Sequence, residues 1–197
     1  FHKFISVILH PIVIPTIGVM LYFLLIKNNL DSNQKIAVLA LIFTATYLIP
    51  LLILIVFKKL NLIQSYYLKT IKERKIPLAI MIVLFYLLGN TMNNIPHLRD
   101  LGLLFFATAL GLILIYVTFS FHIKTSIHLL SAGISLGFFL VLGNIYAQNF
   151  LLVIIVILLF SGVLGSSRLY LNAHSSKEIY LGFFFGIISP FLVYYIL

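Results

Sequence analysis

Long apolar runs, each about the length of one bilayer crossing, alternate along this chain with short polar interruptions. A helix rises about 1.5 Å per residue, so a hydrocarbon core about 30 Å thick takes roughly 20 apolar residues to cross. By that ruler the sequence predicts seven spans, at about 4–26, 36–57, 76–94, 101–121, 125–147, 149–171 and 178–197. The third is the weakest, because Gly89, Asn90, Asn93 and Asn94 make its far end polar; with one re-entrant segment the count falls to six. Only His122-Ile123-Lys124 separates the fourth span from the fifth, which requires a tight turn. No linker, low-complexity tract or internal repeat interrupts the pattern. The expectation is one integral membrane domain over residues 1–197, an all-α polytopic transmembrane helical bundle.

Within the spans, small residues mark where helices approach. Gly162 and Gly165 lie near the end of the sixth span, and Gly182 and Gly186 form a GxxxG in the seventh. Pro11, Pro15, Pro50 and Pro190 are expected to bend their helices, with neighbours satisfying the freed carbonyls. His10, just before Pro11, reads as a ring hydrogen-bonded to such a carbonyl. Asn90, Asn93, Asn94 and Asn144 read as interhelical hydrogen-bond partners.

Composition agrees with the pattern. Of 197 residues, 62% are hydrophobic and 9% charged, against about 25% charged in an ordinary soluble domain. There is no cysteine, which removes disulfides, thiolate metal sites and cysteine nucleophiles. The net charge of +9 points to anionic headgroups and a topology signal, not to nucleic acid. The first apolar run is too long, and too interrupted by proline, for a cleavable signal peptide.

Against this apolar background one polar stretch stands out: Ser167-Arg168-Leu169-Tyr170-Leu171-Asn172-Ala173-His174-Ser175-Ser176-Lys177-Glu178. Arg168 can hold an oxyanion through several fixed donors. If a helix runs through His174, Glu178 falls one turn on and can accept from its ring. A histidine oriented by a carboxylate beside an anion-holding arginine suits a nucleophile or base acting on a phosphoryl group. Ser175 and Glu178 also read as a capping box, so one carboxylate has two tasks, which its two oxygens are expected to divide.

Ser-Arg, five residues, His, three residues, then an acid resembles the third signature motif of the type 2 phosphatidic-acid phosphatase superfamily, with Glu178 where the family has Asp. Thr125-Ser126-Ile127-His128 resembles the second motif, Pro-Ser-Gly-His, in its Ser and His. For the first motif, Lys, six residues, Arg-Pro, the nearest stretch is Lys69 to Pro77, with different spacing. The resemblance implies a membrane lipid phosphatase. In it His174 attacks phosphorus to give a phosphohistidine, Glu178 orients that ring, and His128 protonates the leaving alkoxide. Arg168 would bind phosphate. Arg74, with Lys72 or Lys69, would complete the clamp, and Ser126 and Lys124 are further candidate contacts. Lys72, Arg74 and Lys75 equally suit a juxtamembrane cluster that meets anionic lipid. With only four carboxylates and no HExxH pattern, no metal or other cofactor is expected.

Span parity gives a check independent of the motifs. Two spans lead out and back from the Lys69–Pro77 segment to His128, and two more to Arg168 and His174, so all three groups emerge on one face. That face carries ten of the thirteen Lys and Arg residues, which favours a cytoplasmic site. Setting aside five that are substrate-ligand candidates leaves five against three. The expected setting is the bacterial cell (inner) membrane. The expected partners are a lipid phosphate substrate and membrane lipids, without nucleic acid, the oligomeric state being open. Two other functions fit the same sequence: a catalytically degraded relative that binds or transports anionic lipids, and a structural subunit of a membrane complex.

Overall fold

The computed structural model describes every residue except Tyr67, Lys69 and Leu197. The described residues form an all-helical bundle in which six helices are long and apolar enough to cross a membrane. The chain is therefore an integral, multi-pass membrane protein. Five of the crossings are α5 (Ile71–Asn93), α6 (Arg99–Thr118), α7 (Ile127–Tyr146), α8 (Leu151–Tyr170) and α9 (Ser176–Ile196). The sixth, Ser32–Lys59, is built from α3 (Ser32–Phe43), a π turn at Thr44–Leu48 and α4 (Ile49–Lys59).

The first predicted span is not one helix. It divides into α1 (His2–Ile8) and α2 (Ile14–Leu25), with a break at His10 and Pro11. Proline disfavours helical geometry in the residue before it and cannot donate within a helix, and here two prolines follow His10 within five residues. Pro15 is accommodated at the first turn of α2, where its missing N–H has no helical partner to lose. The twelve residues of α2 rise about 18 Å, short of a full crossing. Leu9 and Ile5 instead pack α1 against Leu129, Leu164 and Ile179, across the N-terminal end of α7.

Pro50 has a milder effect. Its ring would meet the carbonyl of Thr46, four residues earlier. The helix loosens to the π form just before it, and the Ile49 N–H reaches back five residues to Thr44. The crossing continues, with Thr46 and Pro50 turned toward the bundle interior.

At the centre, α7 and α9 meet backbone to backbone. A Cβ on Gly133 would meet the Phe183 carbonyl, one on Gly186 the Leu130 carbonyl, and one on Gly182 the Ser126 carbonyl. The GxxxG of α9 thus faces a second one, Gly133 and Gly137, in α7. In lipid, where burying apolar surface drives little association, this close contact supplies the packing energy. The core continues between α5, α6 and α7 through Phe85, Phe105, Ile115, Phe138 and Leu142. Of the asparagines expected to join helices, Asn90, Asn94 and Asn144 are exposed, and Asn93 packs against Gly102.

Opposite ends of the bundle are polar in different ways. At one end the Asp100 carboxylate, in the first turn of α6, accepts from Tyr22 Oη at 2.9 Å and Tyr146 Oη at 2.6 Å. At the other end lie His128, Arg168 and His174. Span parity predicts this separation.

Gly133→Ala and Gly186→Ala are each expected to lower stability in detergent by about 1–3 kcal/mol, the usual cost of overpacking. Gly162→Ala, at a position with nothing within 4 Å, leaves the unfolding midpoint unchanged. Thermal unfolding followed by fluorescence or size exclusion measures all three.

Candidate functional site

A single cavity of about 310 Å³ opens at the basic end of the bundle, and Arg74, His128, Arg168 and His174 all line it. They come from α5, α7, α8 and the turn between α8 and α9. Each is placed by local rules. Thr70 caps α5 in a capping box with Glu73, and the same carboxylate accepts from the Gln64 amide at 2.7 Å, drawing the preceding loop over the helix end. Leu68 in that loop takes a left-handed conformation at φ 46°, and its carbonyl accepts from Arg74 Nε at 2.8 Å. Ser126 caps α7 one turn before Leu129, which brings His128 into the first turn. Arg168 lies in the last turn of α8, where the helix's negative end favours a cation.

His174 is buried, and its Nδ1 faces two acceptors, the Lys124 carbonyl at 2.9 Å and Glu178 Oε2 at 3.0 Å. A carbonyl can only accept, so Nδ1 carries the proton and the lone pair of the neutral ring is on Nε2. Burial, then the positive charge of Arg74, pushes the His174 pKa down to about 4. The contact with Glu178 at neutral pH is accordingly a hydrogen bond donated by a neutral ring to the carboxylate, not an ion pair.

Glu178 performs both expected tasks, but not by dividing them between its oxygens. Oε2 alone accepts from His174 and from the Ser175 amide at 3.1 Å, while the Ser175 hydroxyl accepts from the Glu178 amide at 3.4 Å. One oxygen has two lone-pair directions, and the cap brings both donors to the same side of the carboxylate. The main chain of Glu178 also accepts from the Ser126 amide at 3.1 Å, which ties the start of α9 to the start of α7.

Arg168 retains an unused donor. Arg168 Nη1 donates to Ser6 Oγ at 2.7 Å, and its Nε is buried without a partner. Among the described residues no carboxylate stands within ion-pair distance of either guanidinium; the ion-pair geometry that is present joins His174 and Glu178. His128 Nε2 is also buried and unpartnered. Its ring meets that of His10 edge to face, with centroids 5.0 Å apart.

Away from the arginines the wall is mostly apolar, with Thr46, Thr108, Ser131 and Ser135 among its polar members. Along α5 the lining runs from Arg74 through Leu78 and Met81 to Phe85, about 16 Å of helix rise. Ile53 and Leu54 of α4 and Ile134 of α7 close the same chamber.

The remaining candidates lie elsewhere. Ser126 is fully buried as the cap of α7 and does not reach the cavity; its hydroxyl is taken by the Leu129 amide. Lys72 is exposed on the outer face of α5 and does not line the cavity either. Lys124 contributes its carbonyl to His174, and its amine is held below the usual lysine range by burial and the charge of Arg74. Lys69 lies outside the described residues. Among the described residues no group of three or more His, Asp or Glu side chains is placed to hold a metal ion.

Ser6 and His10 are the site residues that the sequence does not disclose. Ser6 reaches Arg168 only because α1 folds back onto α8. His10 accepts at Nδ1 from the Ile12 N–H at 3.3 Å, where the sequence suggests a ring donating to a carbonyl. The break at Pro11 leaves that N–H free to turn toward the ring. Comparison of the chain with protein-family models, curated proteins and solved structures finds no match.

Nitrogen-15 spectra of histidine-labelled protein are expected to show His174 neutral and protonated on Nδ1 at pH 7, gaining a second proton only near pH 4. The unfolded chain takes up that proton from about 6.5 downward, so it binds more protons than the folded state between the two values. Its contribution to stability is complete above about pH 6.5 and falls as pH drops toward 4. His174→Asn should flatten this part of a stability–pH curve.

Proposed function

We propose that this chain is a membrane lipid phosphatase that hydrolyses a lipid phosphate or diphosphate through a phosphohistidine. The observation that carries the proposal is the meeting of Arg74, His128, Arg168 and His174 on one cavity whose wall is otherwise mostly apolar. Guanidinium groups without carboxylate partners suit a phosphate, which accepts from them in bidentate fashion. The apolar chamber suits an acyl or isoprenoid chain. The resemblance to the type 2 phosphatidic-acid phosphatase superfamily, carried by Ser167-Arg168, His174 and Glu178, assigns the same roles.

In the proposed reaction the Nε2 lone pair of His174 attacks phosphorus in line with the ester oxygen. The P–O bond breaks as the N–P bond forms, and the departing alkoxide takes a proton from His128. The phosphate brings the negative charge that lets His128 hold that proton. Glu178 and the Lys124 carbonyl keep Nδ1–H in place, so the attacking nitrogen keeps its aim as positive charge develops on the ring. Arg168 and Arg74 balance the charge on the equatorial oxygens. Water then attacks the phosphohistidine, gives its proton to His128 and releases phosphate. No metal enters this scheme.

The substrate class includes phosphatidic acid, phosphatidylglycerol phosphate, isoprenyl diphosphates and lipid A phosphates. The proposed setting is the bacterial inner membrane, with the excess of Lys and Arg favouring a cytoplasmic site.

Phosphate release from mixed micelles of these lipids tests the proposal. His174→Ala should abolish release, and His128→Ala should lower kcat by about 10²–10⁴. A lipid labelled in its phosphate should leave acid-labile, alkali-stable label on the wild type but not on His174→Ala. Release that persists at the wild-type rate in His174→Ala removes the proposal. Lipid binding without any release would favour a carrier of anionic lipids.

A further inference from the structure

His10 lines the same cavity as the two arginines and His174, and the reaction above gives it no part. The Ile12 N–H, 3.3 Å away, can only donate, so His10 Nδ1 keeps its lone pair and the proton of the neutral ring is on Nε2. The backbone thus fixes the tautomer opposite to that of His174.

Two uses of such a ring can be compared. In a relay to His128, a neutral His10 giving up its Nε2 proton would become an imidazolate unless Nδ1 gained one. Nδ1 faces a peptide N–H, which does not give up its proton, so that contact cannot supply one. As a donor, the ring needs no change of state. It lines the same cavity as Arg168, and its ring stands at 81° to that of His128, whose Nε2 is unpartnered.

We infer that His10 is a substrate-contacting residue, donating Nε2–H to a phosphoryl oxygen as a fixed neutral imidazole. This assignment rests on the proposal that the cavity binds phosphate. A neutral donor stabilises charge developing on that oxygen and adds no further cation to a pocket already holding two guanidiniums.

The test is binding of inorganic orthophosphate to the full chain in detergent, by calorimetry, for the wild type, His10→Phe, His10→Gln and Arg168→Ala. His10→Phe keeps an aromatic ring against His128 without the donor and should weaken binding roughly tenfold or more, as expected for a lost hydrogen bond to a charged group. His10→Gln restores an N–H and should recover most of the loss. In nitrogen-15 spectra of the wild type, His10 should be an Nε2–H tautomer whose Nε2 resonance moves when phosphate is added. If Arg168→Ala weakens binding and His10→Phe does not, the role of His10 is overturned while the phosphate site stands. If the wild type binds no orthophosphate, or Arg168→Ala binds as well as the wild type, both fall. Equal losses in His10→Phe and His10→Gln, together with lowered unfolding midpoints, would mark His10 as structural and overturn the donor role.

Discussion

Two guanidinium groups on the wall of a largely apolar chamber, with no carboxylate among the described residues within ion-pair distance, are the constraint to which the rest of this structure answers. A charge withdrawn from water is costly unless it is paired and hydrogen-bonded. Here the pairing is partial: a serine hydroxyl for Arg168, a loop carbonyl for Arg74, and a buried Nε left over. The four acids of the chain are spent elsewhere. Asp31 caps α3, Glu73 ties down the loop before α5, Asp100 takes two tyrosines at the far end, and Glu178 holds His174. None of these contacts is an ion pair with Arg74 or Arg168.

The scaffold reaches this state through a few breaks in otherwise regular helices. Proline ends α1 early and lets it lie across α8, which brings Ser6 to Arg168. Proline also forces the π turn that faces Thr46 and Pro50 inward. The turn between α8 and α9 begins with Asn172 in a left-handed conformation at φ 50° and delivers His174 to the Lys124 carbonyl. Regular helix supplies the span, and irregular backbone supplies the polar contacts, where it is enclosed by protein.

Much of this was legible from residue order. Spans are readable because lipid demands about 20 apolar residues in a row, and the side of each polar group follows from counting them. The contact of His174 with Glu178 is legible because a turn and a first helical turn bring residues of that spacing together. The capping box Thr70-x-x-Glu73 is also in the sequence and marks the start of α5 at Ile71, ahead of the apolar run that begins near 76. Hydropathy predicts one unbroken first span because it is blind to backbone geometry; Leu9, Ile12 and Val13 are as apolar as any spanning residues. Ser126 reads as a phosphate contact in the sequence because a helix cap and a phosphate ligand have the same sequence appearance. Ser6 and His10 depend on tertiary contact with α8 and α7, which no local spacing encodes.

The glycine contact between α7 and α9 has a consequence for how the two imidazoles are held. His128 and Glu178, which aims His174, stand on the first turns of two rods that touch main chain to main chain, joined at their ends by the bond from the Ser126 amide to the Glu178 carbonyl. Their separation is therefore gauged by peptide geometry, which does not change when side chains do. The lipid-facing surface can drift from one greasy residue to another without detuning that distance, whereas one added methyl group on the inner faces of these rods would reset it.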